Sequence, residues 1–277
     1  MEYSKACCKP VLKWAGGKRQ LIPYIMRYVP ERFKTYYEPF LGGAAVLIHL
    51  YSKGRISKAV VSDVNRDLYM LYKEIKERPI ELISVMRSLN FQNKREDYYR
   101  ARDLFNETSD YKLRSALLIY LNKHGYNGLY RLNSLGLFNV PFGRHRNTSF
   151  PSDQDILSLS NMLSSCTILN EDFEKAVAGA ESGDFVYFDP PYVPLSKTSN
   201  FTSYTESGFT HKDQVRLKDV FIELSNRGVF VMETNSDTEN VRDLYKAFEI
   251  IGVPARRNIN SNASRRNGAT ELIIRNY

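Results

Sequence analysis

Phe185-Val186-Tyr187-Phe188-Asp189-Pro190-Pro191-Tyr192 is the stretch that decides the fold of this chain. Its first four residues are apolar and aromatic, a composition typical of a buried strand in a parallel sheet. The strand has to end at the two prolines, because proline donates no backbone hydrogen bond and restricts the residue before it. Asp189 is therefore predicted at the carboxyl end of a strand, where open α/β sheets bind their ligands. With the ring of Tyr192 beside it, this acid suits a planar ligand that carries an amino group; a simple strand-ending turn is the alternative.

The composition is that of a globular protein with an excess of basic residues. With 277 residues, 43% of them hydrophobic and 25% charged, the chain can bury one core, or one core with an inserted subdomain. A formal net charge of +8 favours a polyanionic partner, although the sequence has no long Lys/Arg tail. Its 3 cysteines provide no disulfide framework in a chain of this length. Without an apolar signal core or a membrane-length apolar run, we expect a soluble, cytoplasmic protein.

Two glycine pairs near the start of the chain predict turns that a ligand can approach closely. Gly16-Gly17 is followed by Lys18, but Leu12 stands where the first glycine of a P-loop should be. Hydrolysis of a nucleoside triphosphate is therefore not favoured. Gly42-Gly43 follows a predicted strand over residues 36–40 and begins a predicted helix, which is the strand, glycine loop and helix order of nucleotide-binding sheets.

Asp63 is a second candidate acid. It directly follows a predicted strand over residues 58–62 and lies 20 positions after Gly43, the spacing at which dinucleotide-binding folds place an acid against ribose hydroxyls. The glycine pattern is not GxGxxG, which argues against nicotinamide and leaves a nucleoside-containing cofactor. The alternative is that Asp63 or Asn65 only caps the helix that follows.

Strands and helices alternate before residue 72 and again after about residue 156, which predicts one doubly wound sheet of the α/β class. The insertion between them is predicted to be mostly helical, with a new helix starting at Pro79, a polar stretch over residues 91–110 and an apolar helix over residues 115–121. The predictions beyond it are strands over residues 167–169, 229–232 and through Ile274, helices over residues 212–224 and 239–248, and loops over residues 193–210 and 258–267.

Two loops of the insertion have the composition of a nucleic-acid reader. Residues 122–133 and 138–146 are dense in Asn, Arg, Tyr and Gly, which is unlike core sequence. The forked side chains of Asn and Arg can read base edges, and neighbouring Lys and Arg can hold phosphates. The alternative is a polar hairpin with solvated charges.

Six motifs, in this order along the chain, resemble a known family. They are Lys13-Trp14-Ala15-Gly16-Gly17-Lys18, Glu38-Pro39-Phe40-Leu41-Gly42-Gly43, Asp63, residues 125–131, residues 138–144 and Asp189-Pro190-Pro191-Tyr192. Together they span nearly the whole chain and resemble the Dam-type DNA adenine-N6 methyltransferases of the α group. The resemblance implies a Rossmann-like methyltransferase fold, S-adenosylmethionine as methyl donor, S-adenosylhomocysteine as product, no metal, and double-stranded DNA as substrate, most often at GATC.

The same resemblance implies a catalytic domain over residues 1–72 and 157–277 and a DNA target-recognition domain over residues 73–156. In a restriction-modification system, the functional partner would be a cognate restriction endonuclease. Carried over by position, the catalytic residues are Asp189, Pro190 and Tyr192. The cofactor-binding residues are Trp14, Lys18, Phe40, Gly42, Asp63, Asp172, Phe173 and Asp189. The DNA-binding residues are Lys13, Tyr126, Asn127, Leu129, Arg131, Pro141 and Arg144. His145 stands where close relatives often have tyrosine, so the resemblance assigns it no contact.

The expected chemistry follows from the weak nucleophilicity of the adenine amino group. Adenine has to leave the duplex, and Tyr192 is expected to stack on the extruded base. The resemblance implies that Tyr126 probes the gap beside the flipped base. Asp189 and the carbonyl of Pro190 would accept hydrogen bonds from N6 and stabilise the positive charge that develops there. In-line transfer then needs no metal and no covalent enzyme intermediate.

Four other classes are alternatives to this assignment. A methyltransferase that acts on RNA or on protein glutamine usually has Asn at the position of Asp189. A Rossmann-like oxidoreductase would have GxGxxG, and a catalytically silent DNA-binding module would not need the acid, the prolines and the tyrosine. A zinc deaminase would need H-x-E and C-x-x-C sets, which this sequence lacks.

Overall fold

The computed structural model of this protein describes residues 8–14, 16–146, 148, 150–192, 209–255 and 269–277. Ala15, the predicted loop over residues 258–267 and residues 193–208 of the other predicted loop lie outside these ranges. The strands are β1 (Tyr36–Glu38), β2 (Ala59–Ser62), β3 (Cys166–Leu169), β4 (Phe185–Phe188), β5 (Phe230–Ser236), β6 (Glu249–Ala255) and β7 (Ala269–Arg275). The α-helices are α1 (Ile22–Tyr28), α2 (Ala45–Ser52), α3 (Arg66–Glu77), α4 (Pro79–Ser88), α5 (Arg95–Glu107), α6 (Tyr111–His124), α7 (Asp153–Leu163), α8 (Phe173–Ala176), α9 (His211–Asn226) and α10 (Glu239–Leu244). Short 3-10 helices span Lys18–Gln20 and Tyr126–Gly128.

The strands form one sheet in the order β3-β2-β1-β4-β5-β7-β6. β1 is parallel to β2 and β4, and β4 is parallel to β5, whereas β7 is antiparallel to both β5 and β6. The strand order reverses between β1 and β4, and in doubly wound sheets ligands bind at this switch point, beyond the carboxyl ends of the strands. The predicted fold class, an α/β protein with a Rossmann-like sheet, is confirmed.

The contacts between residues divide the chain into two units. Unit 1 comprises Met1–Gly17, Gly42–Arg55 and Asp63–Asn170, and unit 2 comprises Lys18–Leu41, Ile56–Ser62 and Glu171–Tyr277. The division into a catalytic domain and a target-recognition domain at residues 72 and 157 stays a prediction.

In unit 2, the central strand β4 is buried at all four of its positions. Val186 and Phe188 point to one face of the sheet, where they form a core with Leu217 and Phe221 of α9. Because side chains alternate along a strand, Tyr187 points to the opposite face. The burial of both faces explains why β4 has a continuous apolar sequence rather than an alternating one.

In unit 1, α6 is the central helix, against which α3, α4 and α5 all pack. Asp110 begins it, since its side chain accepts hydrogen bonds from the backbone N–H groups of Lys112 and Leu113. Residues from Ser115 to Leu121 are all buried, which explains the apolar run seen in the sequence. Across the ranges given above, no helix is long and apolar enough to cross a membrane.

One predicted helix is partly wrong. Residues 239–248 were predicted as helix, but α10 ends at Leu244 and the strand β6 begins at Glu249. Phe248 turns its ring onto Phe221, with the centroids 4.7 Å apart, and the chain then runs antiparallel to β7. β6 lies at the edge of the sheet, where Pro254 is tolerated. Its partner strand follows later in the chain, so local periodicity does not reveal the pairing.

The helix α5 lies within residues 91–110, for which only a polar stretch is predicted. The buried residues of this helix, Tyr98, Ala101 and Phe105, recur at intervals of three and four positions. This spacing is the signal that would have identified the helix. The many charged residues between them cover its solvent-facing side.

Candidate active site

Asp189 lies where the sequence predicts it, directly after β4, and it is held at one carboxylate oxygen. Lys18 Nζ lies 2.7 Å from Asp189 Oδ1, and the Lys18 side chain is only 5% exposed. Thr234 Oγ1 donates a hydrogen bond of 3.1 Å to the same oxygen. Among the described residues, no hydrogen bond reaches Oδ2, so this oxygen is the one that can accept from a ligand.

Thr234 is itself held by a buried hydroxyl. It lies on β5, which pairs with β4, and its Oγ1 lies 2.8 Å from Tyr187 Oη. Because the single hydroxyl hydrogen of Thr234 goes to Asp189, Tyr187 has to be the donor in this contact. Burial raises the pKa of Tyr187 well above its ordinary value, which keeps the hydroxyl protonated and able to donate.

Tyr192 is fixed both at its hydroxyl and at its ring. Its hydroxyl donates a hydrogen bond of 2.6 Å to Glu271 Oε2, and Lys18 Nζ lies 4.4 Å from the ring centroid. Glu271 reaches this edge because β7 is antiparallel to β5, which places Glu271 opposite Ser236 at the carboxyl end of β5. Unit 2 therefore holds the ring of Tyr192 in a fixed position beside the acid Asp189.

The charges around Asp189 oppose one another. Burial raises the pKa of Asp189, the ammonium of Lys18 lowers it, and nearby Glu271 raises it again, with the pKa remaining above its ordinary value. A carboxylate with a raised pKa holds a proton, or a hydrogen bond to a weakly acidic group, more strongly than an ordinary one. The Lys18 ammonium and the hydrogen bond from Thr234 favour the ionised form.

A second group of predicted residues in unit 2 is an aromatic cluster. The ring of Phe40 is stacked on that of Phe173, with centroids 5.5 Å apart, and it meets Phe209 edge-on at 5.8 Å. Asp172 caps the short helix α8 by accepting from the backbone N–H of Glu174. Arg216 Nη2 lies 2.8 Å from Asp172 Oδ1, and its guanidinium lies 4.9 Å from the Phe173 ring. This cluster offers an apolar wall with a carboxylate beside it.

In unit 1, the glycine loop is built around a left-handed residue. Gly42 has φ +48°, and a Cβ at this position would lie 2.9 Å from Cδ1 of Trp14. Only glycine therefore allows the indole to lie against the loop backbone. The carbonyl of Gly42 accepts a hydrogen bond of 2.8 Å from Tyr72 Oη, which fixes the loop to α3.

Asp63 is bonded to this loop and does not cap α3. Its Oδ2 accepts from the Gly42 N–H at 2.9 Å, and its Oδ1 accepts from the Asn65 N–H at 2.9 Å. The cap is Asn65, whose side chain accepts from the N–H groups of Asp67 and Leu68. Burial raises the pKa of Asp63 to about 6, against the lowering effect of the two amides. The capping role is therefore wrong for Asp63 and confirmed for Asn65, and the contact of Asp63 with a ribose stays a prediction.

The two loops that were predicted to read nucleic acid lie side by side in unit 1. Tyr126 N–H donates to the Pro141 carbonyl at 2.9 Å, and Gly143 N–H donates to the His124 carbonyl at 2.8 Å. Tyr126 is 52% exposed, and the exposed residues among the predicted DNA contacts also include Lys13, Pro141 and Arg144. Asn127 and Arg144 have positive φ, at 54° and 53°, which marks tight turns in both loops.

Arg131 is oriented by a residue that the sequence analysis did not single out. Its Nε donates to Asn139 Oδ1 at 2.7 Å, and its Nη2 donates to the Asn139 carbonyl at 3.2 Å. The guanidinium plane is therefore fixed relative to the second loop. His145, whose role was open, lies with Nε2 3.1 Å from the Gly125 carbonyl and thereby joins the two loops.

A further cluster in unit 1 was also missed. Tyr130 donates to Asp67 Oδ2 at 2.6 Å, and Arg114 Nε donates to Asp67 Oδ1 at 2.6 Å. The ring of Tyr130 lies 5.7 Å from that of Trp14. These partners are far apart in the sequence, and no local pattern connects them. Tyr130 thus anchors the loop over residues 122–133 (the reader loop) to α3 and α6.

The predicted site residues thus form groups within each unit. In unit 2 the structure brings Lys18, Asp189 and Tyr192 together, with Pro190 buried beside Asp189, and it brings Phe40 next to Phe173. In unit 1 it brings Gly42 into contact with both Trp14 and Asp63.

Comparison with known proteins identifies the family of this chain. Residues 14–259 match the model of the D12 class N6 adenine-specific DNA methyltransferases. The Type II methyltransferase M1.LlaDCHI of Lactococcus lactis subsp. cremoris is 42% identical, with 100% of this chain and 98% of the relative covered. The Type II methyltransferase M.MjaIII of Methanocaldococcus jannaschii is 43% identical, covering 97% and 99%. The DNA adenine methylase of Escherichia coli K12 is 36% identical, covering 95% and 93%. The chain therefore belongs to the D12 class N6 adenine-specific DNA methyltransferases and is a site-specific enzyme that methylates N6 of adenine in DNA.

Proposed function

We propose that this enzyme methylates adenine within GATC in double-stranded DNA, and that the adenine is flipped into a pocket formed by Asp189, Pro190 and Tyr192. The observation that carries the proposal is the arrangement around Asp189. One carboxylate oxygen is held by Lys18 and Thr234, and the aromatic ring of Tyr192 is fixed next to the same lysine. The GATC sequence itself rests on the resemblance to Dam-type enzymes.

The mechanism begins with removal of the base from the duplex, which costs roughly a few kcal/mol of lost stacking and pairing. Stacking on the ring of Tyr192 offsets part of this cost. The hydrogen bond to Glu271 prevents the ring from rotating away, so the base meets a preformed surface. Thr234 and Lys18 hold Oδ1 of Asp189, which leaves Oδ2 to accept a hydrogen bond from the N6 amino group.

Asp189 and the Pro190 carbonyl then act on the electrons of N6. The lone pair of an aromatic amine is delocalised into the ring, and two acceptors on its hydrogens localise it on nitrogen. Transfer would form a bond from N6 to the methyl carbon in place of the carbon–sulfur bond of the donor, which leaves as S-adenosylhomocysteine. Nitrogen thereby becomes positive, and the carboxylate stabilises that charge. The methylated nitrogen finally loses a proton, for which a carboxylate with a raised pKa is a suitable acceptor.

The family implies S-adenosylmethionine as the methyl donor, and several predicted cofactor-binding residues have side chains that suit its chemical groups. In unit 1, the carboxylate of Asp63 suits ribose hydroxyls, and Gly42 lets the indole of Trp14 lie against the loop whose N–H group bonds to this acid. In unit 2, Phe40 and Phe173 provide an apolar wall for a purine, and Asp172 provides an acceptor for its amino group. When bound, S-adenosylmethionine supplies an electrophilic methyl group on sulfur.

We further propose that the enzyme belongs to a restriction-modification system. The name Type II methyltransferase, carried by the relatives from Lactococcus lactis and Methanocaldococcus jannaschii, supports this role. The functional partner would be an endonuclease that cuts the same DNA sequence.

The direct test uses unmethylated plasmid DNA and S-adenosylmethionine labelled in the methyl group. We expect the label in N6-methyladenine and protection of the plasmid from an endonuclease that is blocked by methylation of GATC. An endonuclease with a different recognition sequence that does not overlap GATC serves as the control. Label in N6-methyladenine without protection at GATC would retain the reaction and overturn the proposed sequence.

Arg131 is expected to determine part of this sequence preference. Its guanidinium is held in a fixed plane by Asn139, which suits a bidentate contact with one base. Arg131→Ala should lower kcat/KM on the preferred site by a factor that corresponds to about 1–3 kcal/mol of lost transition-state binding. On sites altered at that base pair, the decrease in kcat/KM should be smaller. The assay compares rates on duplexes that differ by single base pairs.

Arg100→Ala is the matched control, because Arg100 is 73% exposed on α5 and is not a predicted contact. This variant should keep the sequence preference. An equal loss on all duplexes for Arg131→Ala would mean that Arg131 binds a phosphate instead.

A further inference from the structure

Asn122 is a buried polar residue in the last turn of α6. It is 3% exposed and lies among apolar neighbours in the central helix of unit 1. A buried amide is costly unless its donors and acceptors are satisfied. Its side chain forms hydrogen bonds with two segments outside its own helix.

The first of these segments is the backbone of Lys13. The Lys13 N–H donates to Asn122 Oδ1 at 2.8 Å, and Asn122 Nδ2 donates to the Lys13 carbonyl at 2.8 Å. One side chain therefore pairs with both backbone groups of a residue 109 positions away. Such a two-point contact fixes the orientation of the residue and the direction in which its own side chain leaves the backbone.

The second segment is the reader loop. Asn122 Nδ2 also donates to the carbonyl of Gly128 at 3.0 Å. Gly128 has φ +65°, and a Cβ added there would lie 3.0 Å from Cβ, Cγ and Cδ of Lys13. The aliphatic stem of Lys13 therefore lies directly on Gly128. The amide of Asn122 and the absence of a Cβ at Gly128 therefore set the position of Lys13 relative to Asn127 and Leu129, the residues on either side of Gly128.

We propose that Asn122 is a positioning residue for sequence recognition. It sets the register of Lys13 relative to the turn over residues 127–129, and thereby places side chains from two distant parts of the chain against neighbouring bases. This inference rests on the proposed function, in which Lys13, Asn127 and Leu129 contact bases. Asn122 itself contacts no base in this proposal, and its effect is carried by the two segments that it joins.

The test compares kcat/KM on the duplex that the enzyme methylates fastest with kcat/KM on duplexes altered at one base pair. The ratio of the two is the discrimination. Asn122→Leu keeps the approximate volume but leaves three backbone groups without their partner. We expect it to lower the discrimination about tenfold or more, since a misplaced base contact loses an effect of that size. Asn122→Asp keeps the bond from the Lys13 N–H, removes both donated bonds, and provides the same comparison if Asn122→Leu does not fold.

Asn276 supplies a matched control in unit 2. Its Oδ1 accepts from the Val231 N–H at 2.8 Å and its Nδ2 donates to the Val229 carbonyl at 2.9 Å, so it is also an amide that pairs with backbone groups. Asn276→Leu should lower the melting temperature without changing the discrimination. If Asn122→Leu likewise lowers only the melting temperature, Asn122 is a structural residue and the proposal is overturned.

A double-mutant cycle with Lys13→Met separates this proposal from the proposed function. We expect Lys13→Met alone to lower the discrimination, and Asn122→Leu to have a smaller effect in that background than in the wild type. If Asn122→Leu lowers the discrimination by the same factor in both backgrounds, Asn122 does not act through Lys13. No effect of Lys13→Met on discrimination would instead contradict the base contact assigned to Lys13, and with it the premise on which the role of Asn122 rests.

Discussion

Asp189→Ala is expected to lower kcat for DNA methylation by a factor on the order of 10²–10³ or more, the loss seen when one group that stabilises transition-state charge is removed. Asp189 Oδ2 is the acceptor proposed for the N6 amino group. Lys18 and Thr234 hold the other oxygen of the same carboxylate, Oδ1. The measurement is single-turnover methylation at saturating DNA and S-adenosylmethionine. DNA binding, measured separately, should be retained because Lys13, the reader loop and the loop over residues 138–146 belong to unit 1.

Asp184, at the opposite end of β4, provides the control for this variant. It precedes β4, is 5% exposed, and accepts hydrogen bonds from the N–H groups of Thr35 and Glu181, both at 2.9 Å. Asp184→Ala should therefore reduce stability and leave kcat near the wild-type value. Near-normal turnover by Asp189→Ala would contradict the mechanism, because the amino group would then have no need of the carboxylate.

Lys18→Met is expected to shift the acid limb of the kcat profile to higher pH. Asp189 has to be ionised to accept from the amino group, so activity is present above its pKa and is lost as the pH falls through it. Burial raises this pKa and the Lys18 ammonium lowers it. Removal of the ammonium leaves only the hydrogen bond from Thr234 to oppose burial, raises the pKa of Asp189 further, and makes the ionised form rarer at neutral pH. The measurement is kcat against pH, at saturating cofactor so that weaker cofactor binding does not enter.

Lys18→Arg is the matched control, since it keeps a positive charge near Asp189 Oδ1 and near the ring of Tyr192. It should move the acid limb less than Lys18→Met does, even if the altered geometry lowers the maximum rate. An acid limb that stays at the same pH in Lys18→Met would show that Lys18 does not control the ionisation of Asp189.

Features of this fold that neighbouring residues encode can be predicted from the sequence, whereas contacts between distant residues cannot. The strand β4 was predicted because a short apolar run ends at Pro190 and Pro191, and both of these features are local. The glycine loop at Gly42 and the acid at Asp63 were likewise found from their positions after strands. The strand β6 was missed, because its pairing with β7 leaves no periodic signal that outweighs the helix-like stretch before it.

The supports of the candidate site show the same limit. Thr234 bonds to Asp189 across 45 positions, Glu271 bonds to Tyr192 across 79, and Asn122 bonds to Lys13 across 109. Each of these contacts depends on which strands pair or on which helix a loop crosses. A sequence pattern identifies a residue that can act as an acid or a donor, but it does not state which partner the fold will bring to it.

By itself, the sequence determined the α/β class, the acid at the end of β4, the glycine loop before α2 and the order of motifs that resembles DNA adenine methyltransferases. These features are encoded by neighbouring residues, because backbone restriction and side-chain periodicity act over a few positions. The tertiary structure alone decided which oxygen of Asp189 is held, what fixes Tyr192 and what aligns Lys13 with the reader loop. Hydrogen bonds and ion pairs need their atoms within about 3 Å of each other, and only the folded chain brings such distant residues that close.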